Sequence, residues 1–203
     1  MGHRTKSALV AGVLALCLHG TAVAGPHEDA NAADARGDYA AELAILRPNA
    51  EQGLAWAQNN LGNLYAAGYG VPRDYGKAVF WYRKAAEQGD KVAGGLLAKM
   101  YDEGQGVPKD PAQAFYWYRK VAEKGDTDAQ AKVGSAYALG KGVAQDYVQA
   151  YVWLDVAVAE AAAGGGADDT ALARDSVASH LTPAQLADAK QQAAALKAKL
   201  DAQ

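Results

Sequence analysis

The sequence predicts an all-α protein, an α-solenoid in which helix-turn-helix units of 36 residues stack side by side. The first observation behind this prediction is a set of six residue columns that recur at an offset of 36. The second is that apolar residues within each unit follow the i, i+4, i+7, i+8 spacing of amphipathic helices. A unit of this size cannot cover its own apolar face, so stacked neighbours must complete the core. The six columns are Tyr65, Tyr101 and Tyr137; Gly68, Gly104 and Gly140; Gly70, Gly106 and Gly142; Val71, Val107 and Val143; Asp74, Asp110 and Asp146; and Trp81, Trp117 and Trp153.

Residues 1–24 have the pattern of a secretory signal peptide. A basic start is followed by an apolar run from Ala8 to Leu18 and then by Ala22-Val23-Ala24. This order is typical of a signal peptide that is cleaved after small residues. The apolar run is shorter than the roughly 20 residues that span a bilayer. We therefore expect cleavage after Ala24, export to the periplasm or beyond, and no stable membrane anchor in the mature protein.

The segment before the full units divides into two parts. Residues 25–37 are predicted to be a disordered linker. Residues 38–53 are predicted to be a half unit, because Ala50-Glu51-Gln52-Gly53 matches Ala86-Glu87-Gln88-Gly89 one repeat later.

Three full units are predicted over residues 54–89, 90–125 and 126–163, each with two helices. In the first unit, Leu61 and Tyr65 belong to the apolar face of the first helix, and Trp81 and Tyr82 to that of the second. The Gly68 column suits the left-handed residue that ends a helix, and the Asp74 column suits the N-cap of the next. The small residues Gly62, Ala98 and Gly134 are expected to lie against bulky Trp and Tyr positions, so that two helix backbones can approach.

The array is predicted to end in a glycine-rich break at residues 164–169, followed by capping helices at residues 170–203. Leu172 to Leu181 has the pattern of a short helix, and Thr182-Pro183-Ala184-Gln185 that of a capping box. The helix that follows has one apolar stripe and a polar back, as expected for an element that closes a solenoid.

The first unit, AQNNLGNLYAAGYGVPRDYGKAVFWYRKAAEQGD at residues 57–90, resembles the Sel-one-like repeat family, a relative of the tetratricopeptide repeats. The resemblance covers residues 38 to 160 and rests on the LG.LY, G.GV..D and KA..WY.KAAEQG motifs. It implies a right-handed solenoid that serves as a scaffold or adaptor for protein partners.

Composition argues against several kinds of chemistry. Loss of Arg4 and Lys6 with the signal peptide leaves 18 basic residues against 23 acidic ones, a net charge of −5 instead of −3, which disfavours nucleic acid as a partner. The mature chain would keep only His27 and His180 and no cysteine, so we expect no metal site, no cofactor and no histidine-dependent catalysis. No catalytic residue is predicted, and the chain is expected not to be an enzyme.

The expected function is therefore binding of a protein or peptide on the concave face, lined by the first helix of each unit. Positions there that are not used by the core differ from unit to unit. Two alternatives stay open: a cell-wall hydrolase or an accessory to one, which would need a pair of carboxyl groups in a pocket, and a secreted effector that binds a host or competitor protein. The candidate binding residues are Trp56, Asn59, Asn63, Ala66, Lys99, Asp102, Asp128 and Ser135.

Overall fold

The computed structural model describes residues 25–164 and 168–202, and this part of the chain is helical, without strands. Consecutive helices pack against each other in a linear stack, as predicted, and the last helix packs on α8. The signal-peptide prediction for residues 1–24, and residues 165–167 of the predicted glycine break, lie outside the described residues; residues 164, 168 and 169 of that break belong to helices. The helices are α1 (Pro26–Ala35), α2 (Tyr39–Glu51), α3 (Ala55–Ala67), α4 (Tyr75–Glu87), α5 (Lys91–Glu103), α6 (Pro111–Ala122), α7 (Thr127–Leu139), α8 (Tyr147–Gly164), α9 (Asp168–Ala178) and α10 (Pro183–Asp201).

Each full unit is a helix pair whose ends follow the loop chemistry of the repeat. The first helix of the first unit, α3, ends at Gly68, a left-handed residue with φ 78°, and Gly104 and Gly140 end α5 and α7 in the same way. The second helix begins where the Asp74 carboxylate accepts a hydrogen bond from the backbone N–H of Lys77 at 2.9 Å. The predicted helix boundaries are confirmed here, because both signals are local in the sequence.

A second glycine column, Gly70, Gly106 and Gly142, lies in close backbone contact with the preceding second helix. Gly106 has φ 71°, and a Cβ at this position would overlap the carbonyl group of Tyr75, the first residue of α4. The same approach recurs between Gly70 and Tyr39 at the start of α2, and between Gly142 and Pro111 at the start of α6. Since α2 supplies the same contact as α4 and α6, it occupies the position of a second helix, as the half-unit alignment predicts.

Residues 25–37 are not the disordered linker that the sequence predicted, because they contain helix α1. Pro26 begins this helix, the Glu28 carboxylate caps the backbone N–H of Gly25, and Ala30 and Ala33 are each 1% exposed. The Arg36-Gly37-Asp38 turn into α2 has the same three backbone hydrogen bonds as the Gln88-Gly89-Asp90 turn between units. Helix α1 is therefore joined to α2 by the short type of turn that connects units, not by the longer connection from Gly68 to Asp74 found within a unit, and it packs against α2 at the start of the stack.

The small residues in the first helices allow close packing, and the predicted contact with a Tyr position is confirmed for Gly62. A Cβ built on Gly62 would lie 2.6 Å from a Tyr82 ring carbon, and one on Gly134 would lie 2.6 Å from Leu154 Cγ. Both partners belong to the Tyr82 column, so the predicted Tyr contact holds and the predicted Trp contact does not. Trp117 and Trp153 are instead buried in the clusters that connect neighbouring units.

Helices α9 and α10 close the carboxyl-terminal end of the stack. The predicted capping box is present: the Thr182 hydroxyl accepts from the Gln185 N–H at 3.3 Å, and the Gln185 side chain accepts from the Thr182 N–H at 2.9 Å. Val177, Ala189 and Ala193 are buried against α8 residues. Without these two helices, the apolar outer face of α8 would meet water.

Candidate functional site

A cavity of about 220 Å³ opens between the first helices α5 and α7 and the second helix α6, and we call it the α5–α7 pocket. Apolar side chains form part of its walls: Ala114 is buried, Phe115 and Tyr118 are half-buried, and the rings of Phe115 and Tyr137 meet edge to face at 5.2 Å. Leu139, on its rim, is 74% exposed. The lining residues are Asp102, Pro111, Ala114, Phe115, Tyr118, Lys132, Ser135, Ala136, Leu139 and Lys141.

Charged groups surround this apolar cavity and connect two units. Lys141 Nζ lies 2.6 Å from Asp102 Oδ1, so an ion pair joins the second unit to the turn of the third. Burial, assisted by the charges of Asp102 and Glu103, raises the pKa of Tyr118 to about 12, so its hydroxyl stays protonated and can donate a hydrogen bond. The arrangement of apolar walls, a phenol and a charged rim suits an apolar anchor side chain of a peptide or helix.

Of the eight predicted binding residues, Asp102 and Ser135 line the α5–α7 pocket. The other six lie elsewhere. The ring of Trp56 packs against His27 of α1, with centroids 4.7 Å apart, so the unpredicted helix covers it. Asn59 is half-buried, with no hydrogen-bond partner for its buried Oδ1 in the described part of the chain. Asn63 accepts a hydrogen bond from the Tyr82 hydroxyl at 2.8 Å.

The remaining three predicted residues are on separate surfaces. Ala66 packs against the core cluster of the first two units. Lys99 is exposed and lies 3.8 Å from Glu103 one helical turn later. Asp128 is exposed in the first turn of α7.

Several lining residues of the α5–α7 pocket were missed by sequence reasoning. Phe115 and Tyr118 belong to a second helix, whereas the prediction assigned the binding face to the first helices alone. Leu139 could have been found, because the equivalent positions hold Ala67 and Glu103 and thus vary between units. The prediction overlooked it because it directly precedes the glycine that ends the helix.

A second cavity of about 190 Å³ lies between α1, α2 and α3, and we call it the Glu42 pocket. Glu42 is only 5% exposed, and its Oε2 has no hydrogen-bond partner in the described structure. Burial, with the nearby Asp34 as a smaller contribution, raises the pKa of Glu42 to about 7. The lining residues are Asn31, Asp34, Glu42, Asn60, Asn63, Leu64, Ala67 and Tyr69.

A larger depression of about 560 Å³ lies between α6, the α4–α5 turn and α10. Its lysines have partners within the fold: Lys124 Nζ donates to the Gly89 carbonyl at 2.7 Å, and Lys120 lies over the rings of Tyr116 and Trp117. Acidic residues line it as well, so no single charge dominates. We regard this depression as the joint between the repeat array and its closing helix.

The described residues contain no cluster of three histidine, cysteine, aspartate or glutamate side chains that could hold a metal ion. The two histidines in this part of the chain serve packing, since His180 stacks on Tyr147 with ring centroids 4.5 Å apart and His27 lies on Trp56. None of the helices within residues 25–164 and 168–202 is long and apolar enough to cross a bilayer.

Comparison with known families identifies the repeat. The Sel1 repeat matches three times, over residues 57–90, 96–126 and 127–159. These matches include α4, α6 and α7 and most of α3, α5 and α8, and they leave out α1, α2 and the closing helices. No curated protein sequence matches the chain significantly.

Solved structures of Sel1 repeat proteins are similar to this chain. One, a Sel1 repeat protein from Oxalobacter formigenes, is 33% identical with a TM-score of 0.61, over 64% of this chain and 54% of that one. Another, a protective antigen of uropathogenic Escherichia coli strains that displays an SLR fold, is 32% identical with a TM-score of 0.60, over 84% of this chain and 39% of that one. The chain thus spans about half of the first relative and less of the second.

Proposed function

Because the chain is a Sel1 repeat protein and members of that family are generally protein-interaction scaffolds, we propose that it is a non-catalytic scaffold that binds a protein partner at the α5–α7 pocket. The observation that carries this proposal is a cavity with apolar walls and an exposed leucine at its rim, formed by three helices from two adjacent units. Binding interfaces concentrate their free energy in such pockets, where one anchor side chain is removed from water.

The partner is expected to insert an apolar side chain into the pocket and to carry charged residues, acidic or basic, beside it. Lys132 and the Asp102–Lys141 ion pair lie at the edge, where they would select orientation more than strengthen binding. An extended segment or a helix that crosses α5 and α7 would meet both the cavity and this rim. We therefore extend the predicted first-helix surface to include the Phe115 face of α6.

Photocrosslinking tests this proposal in the cells that produce the protein. A photoreactive amino acid at Leu139 is expected to capture one defined partner. The same residue at Phe80, which is 52% exposed on the second helix α4, is the matched control and is expected to capture none. Equal capture from both positions, or none from Leu139, would contradict a binding role for the α5–α7 pocket.

We also propose that residues 1–24 are a signal peptide and that the protein acts in the periplasm or outside the cell. The support is the order of basic start, apolar run and Ala22-Val23-Ala24. Amino-terminal sequencing of the protein from its native cells is expected to begin at Gly25. A sequence that begins at Met1 or Gly2, or a protein confined to the cytoplasm, would contradict export.

A cell-wall hydrolase is the second candidate, because Glu42 and Asp34 form the acidic pair in a pocket that this function needs. Because the pKa of Glu42 is raised to about 7, its carboxyl group can donate a proton at neutral pH. The cavity of about 190 Å³ is, however, smaller than the roughly 300–1,000 Å³ of typical ligand clefts, which favours a site for one side chain over a polysaccharide groove. Release of soluble fragments from purified peptidoglycan, lost in Glu42→Gln, would establish the hydrolase instead of the scaffold.

A further inference from the structure

The Glu42 pocket has an unusual feature, a buried carboxyl group that faces a cavity without a cationic neighbour. Glu42 is 5% exposed, and its Oε2 has no hydrogen-bond partner in the described structure. Burial of an ionisable group is unfavourable unless a partner compensates it. The other charged residue that lines this cavity is Asp34, which also carries a carboxyl group, so the compensating charge is not supplied by the lining residues.

The other polar groups of the pocket point to the same ligand chemistry. Asn31, Asn60 and Asn63 line the cavity with carboxamide groups, whose oxygens accept hydrogen bonds. Asn63 Oδ1 already accepts from Tyr82, so the other two amides remain for a ligand. Two carboxyl groups and two amide oxygens suit a group that donates several hydrogen bonds and carries positive charge.

The apolar part of the lining indicates what this charge is attached to. Leu64 and Ala67 of α3 form one wall, and the ring of Tyr69, stacked on Tyr39 at 4.5 Å and 49% exposed, stands at the opening. Such surfaces pack against methylene groups, and an aromatic ring also attracts a cation. The volume of about 190 Å³ holds one side-chain end with little room for a larger ligand.

We propose that the Glu42 pocket recognises an alkyl ammonium group, supplied by a lysine side chain of a protein partner. The ammonium group is bound by Glu42, Asp34 and the free carboxamides, and its methylene chain lies along Leu64 and Tyr69. This site lies among α1, α2 and α3, apart from the α5–α7 pocket, and does not depend on binding there. It adds a charge-specific contact to the scaffold.

The ionisation of Glu42 gives this site a pH dependence. The pKa of Glu42 is raised to about 7, chiefly by burial, in the unoccupied pocket. The other titratable groups near it are Asp34 of α1, Tyr39 of α2 and Tyr69 after α3, whereas α3 contributes no charged group to the lining. An ammonium group binds the carboxylate form, so binding is expected to lower the pKa of Glu42 and to weaken as the pH falls from 8 to 6.

The test is an NMR titration of the protein with Ac-Ala-Lys-Ala-NH2, which follows the side-chain amides of Asn31 and Asn60 and the carboxyl carbon of Glu42. We expect saturable shifts at pH 8, a lowered pKa of Glu42, and affinity at least tenfold weaker for Glu42→Gln. Glu87→Gln, an exposed Glu→Gln change on α4, is the matched control and should bind as the wild type does. Thermal unfolding of Glu42→Gln checks that lost binding is not lost folding.

Three further probes decide among the alternatives. 1,5-Diaminopentane that binds when the peptide does not would support the ammonium chemistry but assign it to a free amine, which overturns the protein partner. The same peptide with norleucine in place of lysine lacks the ammonium group; if it binds as tightly as the lysine peptide, the charge requirement is overturned. Saturable shifts with calcium chloride alone, or no shifts with any probe, would overturn the ammonium site.

Discussion

Two adjacent glycines on α5 provide a sensitive test of the packing between helices of one unit. A Cβ built on Gly94 would lie 2.7 Å from Val121 Cγ2 of α6, whereas one built on Gly95 meets no atom within 4 Å. Both glycines occupy the interior of the same helix, so Gly→Ala brings each the same gain in helix propensity, about 0.8–1.0 kcal/mol. The difference between the two variants therefore reports the contact with Val121.

The cost at Gly94 follows from how little Val121 can move. Val121 is 4% exposed, and valine in a helix is held largely in one χ1 rotamer. Carbon atoms pack at about 3.5–4.0 Å, so the new methyl group must displace the valine or the helix by about 1 Å. Overpacking of this kind costs about 1–3 kcal/mol, which offsets or exceeds the propensity gain.

We therefore expect Gly95→Ala to raise the free energy of unfolding by about 1 kcal/mol and Gly94→Ala to leave it unchanged or lower it by up to about 2 kcal/mol. Urea unfolding followed by circular dichroism measures both values. The double variant Gly94→Ala with Val121→Ala is expected to show favourable coupling of at least about 0.5 kcal/mol, because the removed methyl groups make room for the added one. Equal stabilisation by the two single variants, with no coupling, would refute the close approach of α5 and α6.

Three other variants test separate features. Glu42→Gln is expected to raise the melting temperature by about 2–4 °C at pH 8 and not at pH 5. The raised pKa of Glu42 makes the folded state less stable as the pH increases from 4.5 through 7, so an equal shift at both pH values would contradict the prediction. Gln130→Met is expected to raise the free energy of unfolding in urea by about 1–3 kcal/mol, because both polar amide atoms of Gln130 are buried without partners in the described structure, whereas Gln58→Met is expected to lower it, because the Gln58 amide is hydrogen bonded. The reverse order of the two variants would contradict the hydrogen-bond assignment. Gly106→Ala is expected to destabilise by at least about 2 kcal/mol because it adds left-handed strain and a clash with Tyr75, and a melting temperature equal to the wild type would contradict the contact between units.

The repeat made most of the fold predictable from the sequence. The offset of 36 aligns the helices, and the caps at Gly68 and Asp74 mark their ends through local hydrogen bonds. The capping box at Thr182 is equally local. These features depend on residues within a few positions of each other, which is why sequence reasoning finds them.

Helix α1 was not predictable by the same argument. It buries alanines, at Ala30 and Ala33, and carries Asp and Asn on its other positions, so its apolar periodicity is weak. Its stability comes from packing against the core of α2 and α3, a tertiary contact without a local signal. The covering of Trp56 and the existence of the Glu42 pocket both follow from this missed helix.

The close contact at Gly94 shows how one unit departs from the others. A glycine on the first helix faces a valine on the second in the middle unit. In the other two units the equivalent pairs are Gln58 with Ala85 and Gln130 with Ala157. The small residue is thus on the first helix in the middle unit and on the second helix in the other two. Only the contact in the structure explains why the Gly94 and Val121 columns vary together.

The candidate site was predictable only in part, for a related reason. Asp102 and Ser135 were found because first-helix positions outside the core vary between units. The α5–α7 pocket also needs Phe115 and Tyr118 from the second helix, whose positions looked like core in the repeat pattern. Which of them reach the surface depends on the spacing between neighbouring units.

The most direct test of a binding role for the α5–α7 pocket is the affinity of the crosslinked partner, measured by titration calorimetry for two variants. Ser135→Trp fills the pocket with an indole ring. The control, Phe80→Ala, removes an exposed ring from α4, the second helix of the first unit. The scaffold proposal predicts at least tenfold weaker binding for Ser135→Trp and an unchanged affinity for Phe80→Ala. Unchanged affinity for Ser135→Trp, in a protein that melts as the wild type does, would contradict it.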